Sequence, residues 1–119
     1  MVYSDKGIGE MSRTFHRLYR HNLCRGEWKT KKRPILINNW EATTFHFDAE
    51  KIYSIAEAAA PLGVEMLVLD DGWFLGRNSD KSSLGDWYVD EEKLPGGLGK
   101  LVERINGLGM QFVCGLSLK

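Results

Sequence analysis

Apolar and polar positions along the chain follow two different periods. From Met11 the apolar residues Met11, Phe15, Leu18, Tyr19 and Leu23 recur at helical spacing, with Arg13, Arg17 and Arg20 on other faces. This pattern predicts an amphipathic helix, although an extended reading also fits it. Residues 1–10 are polar and carry glycine, which predicts a loop, and residues 24–33 read as a linker. The period then changes. Pro34-Ile35-Leu36-Ile37-Asn38-Asn39-Trp40 is a short β-rich run ending in polar residues and a tryptophan. Asp48 is placed to cap a following helix, whose stripe is Ile52, Ile55, Ala56, Ala59 and Leu62, with Pro61 and Gly63 ending it. A second strand is predicted over Val64 to Leu69, then a long loop from Gly72 to Pro95. Leu98, Leu101, Val102, Ile105 and Leu108 form another helical stripe, closed by Gly107 and Gly109, and Met110 to Leu116 form a third apolar strand.

The predicted order is strand, helix, strand, helix, strand. Helices of this length between apolar strands build βαβ units and a parallel sheet. The strand runs are apolar rather than alternating, as expected of a sheet covered on both faces. The first two strands end in polar or aromatic residues, which places those ends on one rim, as at the catalytic face of a TIM barrel. A doubly wound sheet is the alternative, but Asn39-Trp40-Glu41-Ala42 stands where its phosphate-binding glycines would follow the first strand. The predicted fold class is therefore α/β, a partial TIM (β/α)8 barrel holding the first three strands and two helices. A complete barrel takes about 250 residues and eight strands, so the 119 residues read as a fragment. Three open strands predict an unpaired edge, uncovered apolar surface and poor order in isolation.

Charge and cysteine content exclude several classes of function. Lysine plus arginine equal aspartate plus glutamate at 16 each, so nothing points to nucleic acid or an anionic membrane as partner. Lys29-Thr30-Lys31-Lys32-Arg33 is short and reads as a solvated loop. Cys24 and Cys114 match no metal or redox spacing, and Cys114 reads as a small buried hydrophobe. No apolar stretch approaches the roughly 20 residues of a membrane span, and Met1-Val2-Tyr3-Ser4-Asp5-Lys6 lacks a signal-peptide core. A cytoplasmic location is the expectation.

The candidate chemistry lies in Leu67-Val68-Leu69-Asp70-Asp71-Gly72-Trp73-Phe74. An apolar strand ends there in two carboxylates, a glycine and a tryptophan. In α/β proteins ligands bind at the carboxyl ends of the strands. Carboxylates accept hydrogen bonds from vicinal hydroxyls, and an indole packs against the C–H face of a sugar ring, so the octet suits a polyol. A loop start chosen for its turn chemistry is the alternative. Trp73 reads equally as a possible pocket wall and as packing. Asp70 and Asp71 are adjacent, so on a strand their side chains start toward opposite faces, which makes them a poor catalytic pair. A metal-dependent hydrolase using both as ligands is the least favoured reading, since hard-metal sites gather several oxygen ligands. His16, His21 and His46 share no local ligand spacing and read as surface or structural residues.

Five segments in register carry a family resemblance: Arg33-Pro34-Ile35-Leu36-Ile37-Asn38-Asn39-Trp40-Glu41-Ala42-Thr43, Leu69-Asp70-Asp71-Gly72-Trp73-Phe74, Leu84-Gly85-Asp86-Trp87, Leu94-Pro95-Gly96-Gly97-Leu98 and His16-Arg17-Leu18-Tyr19-Arg20, with Gly76-Arg77-Asn78 also fitting. From about Gly9 to Leu116 the chain resembles the bacterial α-galactosidases of glycoside hydrolase family 36. The resemblance implies a β-sandwich domain ahead of a catalytic barrel. Residues 1–32 would then be the end of that domain with its linker, and 33–119 the N-terminal portion of the barrel. It implies hydrolysis of terminal α-linked galactose from melibiose- and raffinose-type galactosides with retention, no cofactor or metal, and a homo-oligomeric full-length protein. It implies that Asp70 and Asp71 bind galactose hydroxyls and that Trp40 walls the pocket. The nucleophile and the acid/base would lie on later strands, so no catalytic residue is expected among these 119. The sequence departs from the family at Ser117-Leu118-Lys119, where the family continues with Trp and a Glu-Pro-Glu type segment. The fragment alone is therefore expected to be inactive. A non-catalytic truncated remnant and a galactosyl-transferring relative are the alternative readings.

Overall fold

A computed structural model describes residues 3–116. Met1, Val2 and the departure at Ser117-Leu118-Lys119 lie outside the described residues. The chain divides into two compact units at Arg33 and Pro34.

In the first unit, helix α1 spans Ile8–Leu18 and continues as a π-helical turn over Tyr19–Leu23. It starts three residues before the expected Met11. Gly7, at φ 83°, provides the entry turn, and its carbonyl accepts the Met11 N–H at 3.2 Å. Glu10 joins Arg13 at 2.8 Å and Arg17 at 3.3 Å along the exposed face. The linker holds a short 3-10 turn, Gly26–Lys29, and beyond it Arg33 donates to the Trp28 carbonyl and covers the Trp28 ring.

The second unit is a three-stranded parallel sheet in the order β1-β2-β3, made of β1 (Leu36–Asn38), β2 (Met66–Leu69) and β3 (Gln111–Cys114). A four-residue helix α2 (Trp40–Thr43) follows β1 directly. Helix α3 (Ala49–Ala59) leads to β2, and α4 (Gly97–Gly107) leads to β3. Asp48 caps α3 by accepting the Lys51 N–H at 2.8 Å. Ile52, Ala56 and Ala59 are buried, but Leu62 is exposed. The helix tightens to 3-10 over Ala60–Leu62 and turns at Gly63 (φ 85°), which swings Leu62 off the stripe. Leu101 and Ile105 of α4 are buried, and α3 and α4 pack against each other, so both lie on one side of the sheet.

Sheet parity follows from the register. Leu36, Met66 and Gln111 align, as do Ile37, Leu67 and Phe112. Ile37, Leu67, Leu69, Phe112 and Cys114 therefore share the helix-covered face and join the core. Leu36, Met66, Val68 and Val113 occupy the other face, where Leu36 and Val113 are exposed. The apolar runs predict cover on both faces. Among the described residues only one face is covered.

Candidate functional site

The carboxyl ends of β1 and β2 are tied together by two asparagines. Asn38 Nδ2 donates to Asp70 Oδ2 at 2.6 Å, while its Oδ1 accepts the Trp40 N–H at 2.8 Å. One side chain thus links the two candidate residues Trp40 and Asp70. Asn39, 1% exposed, accepts the Asp70 N–H at 2.8 Å and donates to Thr43 Oγ1 at 2.8 Å, fixing α2 to the end of β2. Trp40 is the first residue of α2 rather than the last of a strand. Its half-buried ring stands edge-on to Phe45, 5.0 Å between centroids at 88°.

Asp70 continues the parity of Met66 and Val68, toward the uncovered face, and meets no cation within ion-pair distance among the described residues. Asp71 is held differently. Arg77 Nε donates to its Oδ1 at 3.0 Å and Oδ2 at 3.1 Å, and Nη2 reaches Oδ2 at 2.7 Å. The Gly72 N–H adds a bond to Oδ1 at 2.7 Å. The Arg77 hydrogen bonds hold the Asp71 carboxyl below the ordinary carboxylate range, against the opposing pull of partial burial. Arg77 itself is 5% exposed, lies against the Phe45 and Phe74 rings, and gives Nη1 to the Ser82 carbonyl at 2.7 Å.

Gly72 is required by close approach. At φ 92°, a Cβ there would stand 3.1 Å from Phe45 Cδ1 and 3.3 Å from Phe47 Cε1. Lys93 closes the arrangement from the far end of the loop. Its ammonium donates to the carbonyls of Gly72 at 2.8 Å, Arg77 at 3.2 Å and Phe45 at 3.3 Å. Burial pulls its pKa below the ordinary lysine value.

A cavity of about 240 Å³ opens over the carboxylates, lined by Asp70, Asp71, Phe74, Leu84, Trp87, Gly115 and Leu116. Trp40 is not among these residues, and neither is Trp73. Trp73 is 3% exposed, donates its indole N–H to the Gly115 carbonyl at 3.0 Å and stacks on Trp87 at 6.2 Å. His16, His21 and His46 are exposed, and among the described residues no three His, Cys, Asp or Glu side chains converge as metal ligands would. No helix among them is long and apolar enough to cross a membrane.

The sequence alone assigns no role to Asn38, Asn39, Arg77 or Lys93. The Asn-Asn pair at a strand end and the Gly76-Arg77-Asn78 segment were visible. The partner each side chain takes depends on register and loop path, which local spacing does not encode.

A family model described as Melibiase matches residues 1–118. The chain is 58% identical over 112 residues to α-galactosidase AgaA of Geobacillus stearothermophilus, which is 94% of this chain and 15% of that protein. It is 49% identical over 112 residues to α-galactosidase 1 of Pediococcus pentosaceus, again 94% of this chain and 15% of the relative. The crystal structure of the Geobacillus family 36 enzyme superposes with a TM-score of 0.88 at 56% identity, covering 98% of this chain and 16% of that one. A variant of the same enzyme in complex with stachyose gives 0.87 at 55% identity, with the same coverage. The chain thus spans about 15% of the length of these relatives. A family match running nearly end to end, together with this identity and superposition, shows that the chain belongs to the melibiase family, in the branch of the family 36 α-galactosidases.

Proposed function

We propose that this chain is the part of an α-galactosidase that holds the galactose ring. It would serve hydrolysis of terminal α-linked galactose from melibiose- and raffinose-type galactosides with retention. The observation that carries the proposal is the Asp70 carboxylate at the end of β2, held by Asn38 beside Trp40 and open toward the uncovered face. A carboxylate so placed accepts charge-assisted bonds from ring hydroxyls. A buried acceptor left unpaired by a misplaced hydroxyl discriminates against epimers. Asp71, already neutralised by Arg77, is an oriented acceptor with less free charge. Trp40 offers the apolar face.

The three strands are proposed as the opening of a (β/α)8 barrel, with residues 1–32 as the end of a preceding domain and its linker. Sequential parallel strands with both helices on one side and an apolar face on the other are what consecutive βα units of a barrel present, and Asn39-Trp40-Glu41-Ala42 stands where a doubly wound half would carry its phosphate-binding glycines. Retaining hydrolysis needs a carboxylate nucleophile and an acid/base roughly 5–5.5 Å apart. Asp71 is bound down by Arg77, and Asp70 starts toward the opposite face. The catalytic pair is therefore proposed to come from other strands.

The test compares the 119-residue chain with a chimera in which it replaces its matched segment in the Geobacillus enzyme. The chimera should release a chromogenic aglycone from an α-galactoside, and the chain alone should not. A slow fluorinated galactoside should label the chimera outside these 119 residues. Turnover by the short chain that Asp70→Asn abolishes, or a label on Asp70 or Asp71, would overturn the assignment.

A further inference from the structure

We propose that Lys93 and Arg77 are positioning residues for galactoside binding. Lys93 fixes the backbone that carries Arg77, and Arg77 fixes the Asp71 carboxylate. The inference rests on the reading of Asp70 and Asp71 as sugar-holding groups, and adds the device that sets their geometry.

An ammonium has three donors and no acceptor. Lys93 gives them to three carbonyls from three separate segments: Phe45 after α2, Gly72 after the Asp-Asp pair, and Arg77 in the long loop. Its charge also lies 5.2 Å from the Phe47 ring centroid. These are the segments that shape the site. Phe45 carries the ring against which Trp40 stands. Gly72 follows Asp71 directly, and Arg77 holds it. The second step is the guanidinium fork. Its Nε and Nη2 meet both Asp71 oxygens at 2.7 to 3.1 Å, and its Nη1 is anchored on the Ser82 carbonyl. A lysine at 77 would supply a point charge without that fork. The charged groups around the node are Asp71, Arg77 and Lys93, with Asp80 and Asp90 beside them. Rotation of Asp71 would break its bonds to Arg77, whose guanidinium is kept in place by the Ser82 carbonyl.

The chimera supports the test. Arg77→Lys and Lys93→Met are each expected to lower kcat/KM for an α-galactoside about ten- to a hundred-fold, since small misplacements near a reacting sugar have effects of that size. The discriminating readout is a double-mutant cycle. If Arg77 acts through Asp71, Arg77→Lys should have little further effect in an Asp71→Ala background, whereas general damage to the fold would add. Lys93→Arg keeps the charge but not the three-carbonyl geometry, and should lie between wild type and Lys93→Met. If Lys93→Met gives no cooperative melt, Lys93→Arg and Arg77→Lys decide. Wild-type kinetics in those two variants while Asp71→Ala is damaging would overturn the positioning role alone, as would additivity in the cycle. Wild-type kinetics in Asp71→Ala would instead overturn the sugar-holding reading on which it stands.

Discussion

Asp70→Ala in the chimera is expected to lower kcat/KM for a chromogenic α-galactoside by about ten- to a hundred-and-fifty-fold for each hydroxyl bond lost. A hydrogen bond to a charged group is worth roughly 1.5–3 kcal/mol, and 1.36 kcal/mol is tenfold in rate. The effect should exceed that of a neutral hydrogen bond because the Asp70 partners are amide groups, Asn38 Nδ2 and the Asp71 N–H. They orient the carboxylate without cancelling its charge. Asp70→Asn keeps the shape and removes the charge, so it should fall between wild type and alanine. Asn38→Ala should reproduce part of the loss, since it frees both the Asp70 oxygen and the Trp40 N–H. Steady-state kinetics on the three variants check this. Unchanged kcat/KM in Asp70→Ala would remove Asp70 from the sugar contacts.

The element order was legible in the sequence because helical stripes and apolar runs are local properties. Ile52, Ala56 and Ala59 are buried as the stripe requires, and Leu67 and Leu69 are buried on the strand before the carboxylates. Boundaries were less legible. The strands are three or four residues long, because pairing in a parallel sheet ends where register and twist end it, and not where apolar composition does. Trp40 followed an apolar run and read as a strand end. Asn38 Oδ1 takes its N–H and starts a helical turn instead. Leu62 sat on the stripe in sequence, but the 3-10 turn moved it to the surface. The acidic pair stood out by composition. The different states of its two members did not, because Arg77 arrives six residues later and Lys93 closes the loop from 21 residues beyond Gly72. Those bonds depend on the path of a loop held by the Phe74–Val89 bridge and by the stack of Trp73 on Trp87.

The uncovered sheet face gives the second large effect, with opposite outcomes in two settings. Leu36 is 54% exposed and Val113 43% exposed, and Met66 and Val68 lie between them on the same face. Full burial of one such side chain stabilises by about 1.5–3 kcal/mol. All four are already partly buried, so covering what remains exposed contributes about 2–5 kcal/mol, a large share of the stability of a typical domain, about 5–15 kcal/mol. β1 and β3 also each have one paired neighbour, which leaves strand edges open to association. The 119-residue chain alone should therefore self-associate at micromolar concentration in sedimentation velocity. Leu36→Lys with Val113→Lys should reduce that association, because both side chains lie in water when the chain stands alone. The same pair in the chimera should abolish folding and activity. If this face lines a closed barrel, two unpaired ammonium groups would be buried there at a cost of several kcal/mol each. A monomeric chain with a cooperative melt would show that the face needs no cover. A chimera that keeps its activity with both lysines would show that the face is not the interior of a barrel.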